Sequence, residues 1–193
     1  MISVIVPAYN EKGYLVNCIK SLQESMKYCP CEVEIIVVDD VKGIGKARNI
    51  GASKALGDVL VFVDADCTVS PNFLNEVYEK SLNEDNVGGG VKYVKFDKYS
   101  TGRIVFMILM AVWLYWHQVS FGSFWVRRLF FGGFIENNDP KIDLEFALRL
   151  KRIAKLNRKN FRSIKQSPMT WSTRSFDKYG EWFWLRKYKL YQA

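Results

Sequence analysis

The stretch "DVLVFVDADCTVSP", residues 58–71, runs five apolar residues into two aspartates separated by one alanine. Val59 to Val63 is a continuous apolar run, which suits a strand covered on both faces by helices, as in a parallel sheet. Carboxylates are costly to bury unpaired. A strand that ends in Asp64 and Asp66 must therefore be leaving its sheet there.

Two further runs share this pattern, "ISVIV" (2–6) and "EIIVV" (34–38). The segments between them can supply the covering helices. In "YLVNCIKSLQESM", Leu15, Cys18, Ile19, Leu22 and Met26 recur at helical spacing and form one apolar face. In "KGIGKARNIGASKALG", Ile44, Ala47, Gly51 and Ala55 make a narrow face of small residues suited to close packing on a sheet, and Gly57 is the expected stop. Ser70 followed by Pro71 predicts an N-cap and a first helical residue for a helix to about Leu82. Strand–helix–strand–helix–strand order predicts an α/β layer with right-handed crossovers.

The second half reads differently. "VGGGVKYVKF" looks like a strand entered through glycines, where Gly89 and Gly90 would let a ligand come close to the backbone; the alternative is a plain turn. The apolar run 104–116 falls short of the ~20 residues needed to span a bilayer. His117, Gln118 and Ser120 then dilute it, so a buried or interfacial helix is expected. An aromatic loop "SFGSFWVRRLFFGGF" and a helix from about Ile142 to Ala154 follow. The aromatic and basic tail, residues 176–193, suits either a helix at a lipid headgroup boundary or one packed on the core.

With 49% hydrophobic and 25% charged residues the composition is that of an ordinary globular domain. A net charge of +8 favours anionic partners: nucleotides, nucleic acid or an anionic lipid surface. Cys18, Cys29, Cys31 and Cys67 show neither zinc spacing nor Cys-x-x-Cys and read as reduced thiols. "MISVIVPAYNE" lacks a signal peptide's basic opening, so a cytoplasmic chain is expected, with peripheral contact to the inner face of a membrane.

The chemistry gathers where the strands end. The first run ends in "PAYNE", the second in "DD" and the third in "DAD". Ligands of open parallel sheets bind beyond the carboxyl ends of the strands. Asn10, Glu11, Asp39, Asp40, Asp64 and Asp66 would thus share one rim, where five acids repel unless a cation intervenes. Asp-x-Asp alone is weak evidence, since such pairs cap helices and turns. At a strand end beside other acids, with no nearby histidine or cysteine pair, it suits Mg²⁺ or Mn²⁺, which takes its remaining ligands from substrate phosphates. The one histidine, His117, follows a hydrophobic run and reads as packed or interfacial, so general-base work falls to Asp or Glu.

"SVIVPAYNE", "EIIVVDD", "GIGKARNIGASKALGD" and "VFVDADCTVSPNFL", in that order, resemble a family-2 glycosyltransferase of the GT-A fold; "GGF" and then "IDLEFALRLKR" resemble its acceptor-side loop and following helix. The resemblance covers residues 1 to about 156. It implies a three-layer α/β sandwich with a mostly parallel central sheet and helices on both faces. It further implies a nucleotide-sugar half (1–86), an acceptor-side half (87–175) and the amphipathic tail. Pro7, Ala8, Tyr9 and Glu11 would line the base and ribose pocket, and Asp39 or Asp40 would bond the base. Lys46 and Arg48 would approach the nucleotide. Asp64 would sit near ribose and metal, while Asp66 would ligate the metal directly. The catalytic base would be Asp143, with Glu145 as runner-up, because Ile142 stands where the family has an acid.

The 95–134 region and the tail are more like members acting on lipid-linked or membrane-proximal acceptors. Trp125, Arg127 and Arg128 would then line the acceptor side or bind a lipid phosphate; the bland alternative is a solvated, aromatic-braced surface. In the family "VDD" is followed by a turn, a helix and a further strand, whereas here Asp40 passes through Val41 into Lys42, and "WVRRLFFGGF" is a few residues short. The expectation is that loops flanking the nucleotide are wanting from this chain. Three rivals carry less weight. "GIGKAR" has Arg48 at the third glycine position of a dinucleotide motif. A sugar nucleotidyltransferase should have a glycine-rich basic loop after its first strand. A membrane-surface or nucleic-acid binding module rests on the tail alone, and nucleic acid is not the expected partner.

Overall fold

The computed structural model describes residues 1–117, 122–136 and 141–182. The three apolar runs become adjacent parallel strands: β1 (Ile2–Pro7), β2 (Val33–Val38) and β3 (Val59–Phe62), with β1 in the middle. They alternate between two cores. Val4, Val6, Val59, Val61 and Val63 face the layer of α1 (Lys12–Met26) and α3 (Phe73–Leu82). Ile5, Leu60 and Phe62 face α2 (Ile44–Lys54) and α5 (Ile142–Leu156). Burial on both faces explains why these runs are apolar almost throughout, the exceptions being Ser3 and Glu34, whose side chains hydrogen-bond to one another at 2.6 Å. Cys18 and Leu22 of α1 are fully buried, as their spacing predicts.

Among the described residues the main sheet has six strands, ordered β2-β1-β3-β7-β5-β8. Here β5 is Asn86–Gly90, β7 is Phe124–Arg127 and β8 is Asn160–Phe161. Only β7 runs against the others, so the sheet is mostly parallel. A small second sheet, ordered β4-β9-β6, joins β4 (Cys67–Val69), β9 (Met169–Trp171) and β6 (Val94–Phe96). Two further α-helices, α4 (Thr101–His117) and α6 (Arg174–Tyr179), and a short 3-10 helix, Arg128–Phe130, complete the described elements.

Several expectations are corrected. The aromatic loop is in part the strand β7, wedged between β3 and β5 with Phe124 and Val126 on one core and Trp125 on the other. The glycines of "VGGG" do not lead into a strand; they are the strand β5. A side chain on Gly89 would collide with the backbone carbonyl of Arg162, so the close approach there is to β8. α3 begins at Phe73 rather than Pro71, since Ser70–Asn72 form a turn closed by Phe73 N–H donating to the Ser70 carbonyl. α2 ends at Lys54, and Gly57 serves close packing, wedged against Met1 and Ser3, rather than a cap. Ala47, Gly51 and Ala55 are buried as their spacing predicts, joined by Gly45, Arg48 and Ala52, but Ile44 is exposed. β2 is only half-buried over most of its length, because it is the sheet's edge.

α4 confirms a helix over 104–116 that presents an apolar face outward, with Ile104, Ile108, Leu109 and Val112 all exposed. Its inner face is pinned to α6: buried Arg103 pairs with Asp177 and Glu181, and Phe106 packs on Phe96 and Phe176. No described helix is long and apolar enough to cross a membrane. The side chain of His117 and the tail from residue 183 onward lie outside the described residues.

Candidate functional site

The rim beyond β1 and β3 is shaped by the α2 segment "GIGKARN". Gly43 takes φ 105°, a left-handed value suited to glycine, and leads the chain into α2. A side chain on Gly45 would strike the backbone of Ile135, so this glycine lets the loop after "GGF" close onto α2. Asn49 clamps the same loop: its Nδ2 donates to the Phe134 carbonyl at 2.9 Å and its Oδ1 accepts from Phe134 N–H at 2.7 Å. Gly51 permits close packing on Ile5 of β1. Gly45 and Asn49 thus both hold the loop that follows β7, which is drawn over the rim.

Arg48 is the centre of the arrangement. It is fully buried, and a buried charge is tolerable only when paired. Its guanidinium donates from Nη1 to Asp143 Oδ1 at 2.6 Å and from Nη2 to Asp64 Oδ1 at 2.8 Å. Nη2 also reaches the Gly122 carbonyl at 3.1 Å, and the Phe134 ring lies 4.8 Å from the guanidinium carbon. Gly122 N–H donates to Asp143 Oδ2 at 3.2 Å, so both carboxylate oxygens of Asp143 are held. One cation therefore unites the aspartate ending β3 with the aspartate opening α5. Burial works against the charge on Arg48, but Asp143 and Asp64 outweigh it and hold its pKa above the ordinary value. Burial pushes Asp64 up to about 6; Arg48 opposes that rise while Asp143 and Asp66 add to it.

Asp66 lies on the open side. Its Oδ2 sits 3.1 Å from Arg174 Nε, and Arg174 also forks onto both carboxylate oxygens of Glu11. Burial raises the Asp66 pKa, and Arg174 pulls against that rise. Ser172 N–H donates to the Asp66 carbonyl at 3.2 Å, so the end of β9 is stitched to the "DAD" turn and carries Arg174 with it. Cys18 and Cys67 are buried behind the turn, where burial pushes the Cys18 thiol up to about 12.

Two adjoining clefts open here. One, of about 140 Å³, is lined by Pro7, Glu11, Ile44, Asp64, Asp66 and Arg174. The other, of about 220 Å³, adds Tyr9, Val41, Gly43 and Ala47. Each alone is below the roughly 300 Å³ usual for a ligand pocket, and the two share Pro7, Glu11 and Ile44. Ala8 is buried at the end of β1. Asp39 and Asp40 are exposed past the end of β2 and Lys46 is exposed on α2; none of the three is among the residues lining these clefts.

Of the two candidate bases, Asp143 faces Asp64 across Arg48. Glu145 is paired instead with Arg149 one turn on, at 2.7 Å. The residues expected on the acceptor side pack largely within the protein itself. Trp125 is buried, donating from Nε1 to the Arg162 carbonyl at 2.9 Å. Arg127 donates to the Asn86 and Ser81 carbonyls and Arg128 to the Gly57 carbonyl. Gly89 and Gly90 are strand residues. These side chains hold the sheet's far end together. The sequence reading missed Arg174 and Gly122. Arg174 lies 163 residues from Glu11 and carries no local signal of the contact.

Among the described residues no group of three or more His, Cys, Asp or Glu could by itself enclose a metal ion. Asp64 and Asp66 offer two carboxylates one residue apart. That donor set fits Mg²⁺ or Mn²⁺, which commonly binds through one or two carboxylates and completes its shell with phosphates.

The sequence profile described as "Glycosyl transferase family 2" matches residues 3–42 and 41–138. The two stretches meet in the turn between β2 and α2. The chain is 27% identical over 135 residues to glycosyltransferase GlyG of Streptococcus pneumoniae, covering 56% of this chain and 44% of that protein. It is 26% identical over 175 residues to dolichol-phosphate mannosyltransferase of Pyrococcus furiosus, covering 77% of this chain and 46% of that protein. It thus spans under half the length of these relatives. Among solved structures, S. aureus TarS 1–349 in complex with UDP-GlcNAc superposes with a TM-score of 0.60 at 17% identity, over 89% of this chain and 58% of that one. Glucosyl-3-phosphoglycerate synthase from Mycobacterium tuberculosis, in complex with Mn²⁺, UDP and glucosyl-3-phosphoglycerate, gives 0.59 at 16% identity, over 93% and 75%. These neighbours share the GT-A fold. With its motifs, sheet order and paired aspartates in place, and more than half its length matched by the family profile, the chain belongs to glycosyl transferase family 2.

Proposed function

We propose that this chain binds a nucleoside diphosphate sugar beyond β1 and β3 and transfers the sugar to an acceptor hydroxyl. The carrying observation is the single buried Arg48 that joins Asp64, at the donor end of the sheet, to Asp143, at the mouth of α5. Pro7, Tyr9 and Glu11 line the cleft where base and ribose would lie. Asp64 and Asp66 would hold Mg²⁺ or Mn²⁺ together with the diphosphate, and the ion would supply charge neutralisation of the leaving group.

Asp143 is the proposed catalytic base. Arg48 and Gly122 N–H aim its carboxylate, which takes the proton as the acceptor oxygen bonds to the anomeric carbon and the bond from that carbon to the diphosphate oxygen breaks. Attack opposite the leaving group would invert the anomeric centre, as the family resemblance implies. The exposed apolar face of α4 supports an acceptor that is lipid-linked or membrane-proximal.

Binding of UDP-, GDP- and dTDP-sugars measured by calorimetry with Mn²⁺ and with a chelator tests this reading. The expected result is binding of at least one donor with Mn²⁺ and its loss with chelator. Asp66→Ala should abolish the metal-dependent binding, whereas Asp143→Asn should keep it and lose transfer. Absence of metal-dependent binding to any of the three classes overturns the proposal.

A further inference from the structure

Both aspartates of the "DAD" turn already have an arginine. Arg48 is buried and immobilised by two carboxylates, a carbonyl and a ring. Arg174 is likewise held by two carboxylates and a ring, but it lies on the open side of the cleft. Its side chain is 36% exposed, it lines the cleft itself, and its other partners are Glu11 and the face of Tyr14, whose ring centroid is 5.1 Å from the guanidinium carbon. It also sits at the first residue of a six-residue helix just past the stitch between Ser172 and Asp66. The guanidinium thus spans Asp66 and Glu11, the two acids on the open side of the cleft, and fills with one planar cation the corner where a metal ion would approach Asp66.

We propose that Arg174 is a donor-diphosphate-binding residue that doubles as the counter-cation of the ligand-free site. With no donor present it neutralises Asp66 and Glu11 and so competes with a free divalent cation. When a metal–diphosphate complex arrives, the metal takes over Asp66, and the planar fork of Arg174 turns to the phosphate oxygens, which it suits bidentately. The consequence is an order of binding: the cation alone binds poorly, and the cation with a nucleoside diphosphate binds well. This inference rests on the proposed function, since it concerns the same cleft.

The test compares the wild-type chain with Arg174→Gln. Mn²⁺ alone is followed by the paramagnetic resonance signal of the free ion, and UDP, GDP and dTDP are titrated calorimetrically with Mn²⁺ present. Loss of charge-assisted hydrogen bonds sets a scale of roughly tenfold or more. R174Q should bind Mn²⁺ alone about tenfold more tightly than wild type, and bind the best nucleoside diphosphate with Mn²⁺ at least about tenfold more weakly. A merely structural role for Arg174 would not strengthen metal binding. If R174Q does not fold, judged by circular dichroism, Arg174→Lys carries the same comparison, with both shifts in the same directions and smaller. A wild-type chain that binds a nucleoside diphosphate while the variant matches it in both titrations overturns this inference alone. A wild-type chain that binds none of the three with Mn²⁺ overturns the proposed function and this inference with it.

Discussion

Arg48 carries more of the site than any other residue, because its charge has no solvent to fall back on. Replacing it with methionine would leave Asp64 and Asp143 facing one another without their shared cation. Breaking a buried pair in this way typically costs about 3–5 kcal/mol. Arg48→Met should therefore lower the thermal midpoint of the chain, by an amount that depends on pH. Asp64 already titrates at about 6 with Arg48 present, above an unfolded carboxylate near 4. Without Arg48 the folded-state value rises further, so the folded chain holds protons that the unfolded chain has released. The stability deficit of the variant should grow from pH 5 to pH 8; a deficit that shrinks over that range refutes the assignment. Glu145→Gln is the matching control. Its partner Arg149 lies on its own helix at half-exposed positions, so transfer activity should stay near wild type. A loss comparable to that of Asp143→Asn would reassign the base to Glu145.

The glycines show how elements set limits that a local motif does not reveal. Gly51 and Gly89 both sit in regular structure, on a helix and a strand, and neither has a left-handed backbone. Each is required by what lies opposite. Gly51 faces the side chain of Ile5, which can shift only by disturbing a filled core. Gly89 faces the backbone of Arg162 where the chain leaves β8, which can move only by breaking the β5–β8 pairing. Overpacking typically costs about 1–3 kcal/mol. Gly89→Ala should fall at or beyond the upper end and Gly51→Ala lower, as read from urea unfolding. Equal midpoints for the two variants would show that the β5–β8 edge is soft. Reading "VGGG" as a ligand approach was reasonable from its composition, but the backbone it admits is the protein's own.

Among the described residues, the main sheet lies between two cores, and the outer edge of β2 and the outer face of α4 are left uncovered. The family profile breaks where β2 passes into α2, and the structure crosses that point in a short turn, Asp39–Gly43. That turn leaves β2 with no outer neighbour among the described strands. α4 is braced from inside by Arg103 and Phe106 while Ile104, Ile108, Leu109 and Val112 face outward. If that face meets lipid, Ile108→Ser with Val112→Ser should reduce co-sedimentation with vesicles containing anionic lipid and leave the thermal midpoint unchanged. Removing residues 183–193 measures the tail's share in the same assay. Undiminished sedimentation of the double variant would exclude α4 as the contact. The first three strands, the helices between them and the rim acids were legible from residue order, because their signals are local: unbroken apolar runs, helical spacing, and acids placed where a strand must leave the sheet. The late helix that presents Asp143 was legible by resemblance. The remaining features were decided by tertiary structure, because each is a contact between distant segments. The reversed strand β7 is recognisable only once β3 and β5 flank it. Arg48 becomes the link between Asp64 and Asp143 only when α2, β3 and α5 converge, and Arg174 reaches Asp66 and Glu11 only after β9 pairs with β4. Local sequence determines what a segment can be, whereas the pairing of a buried charge depends on which segments the fold brings to it.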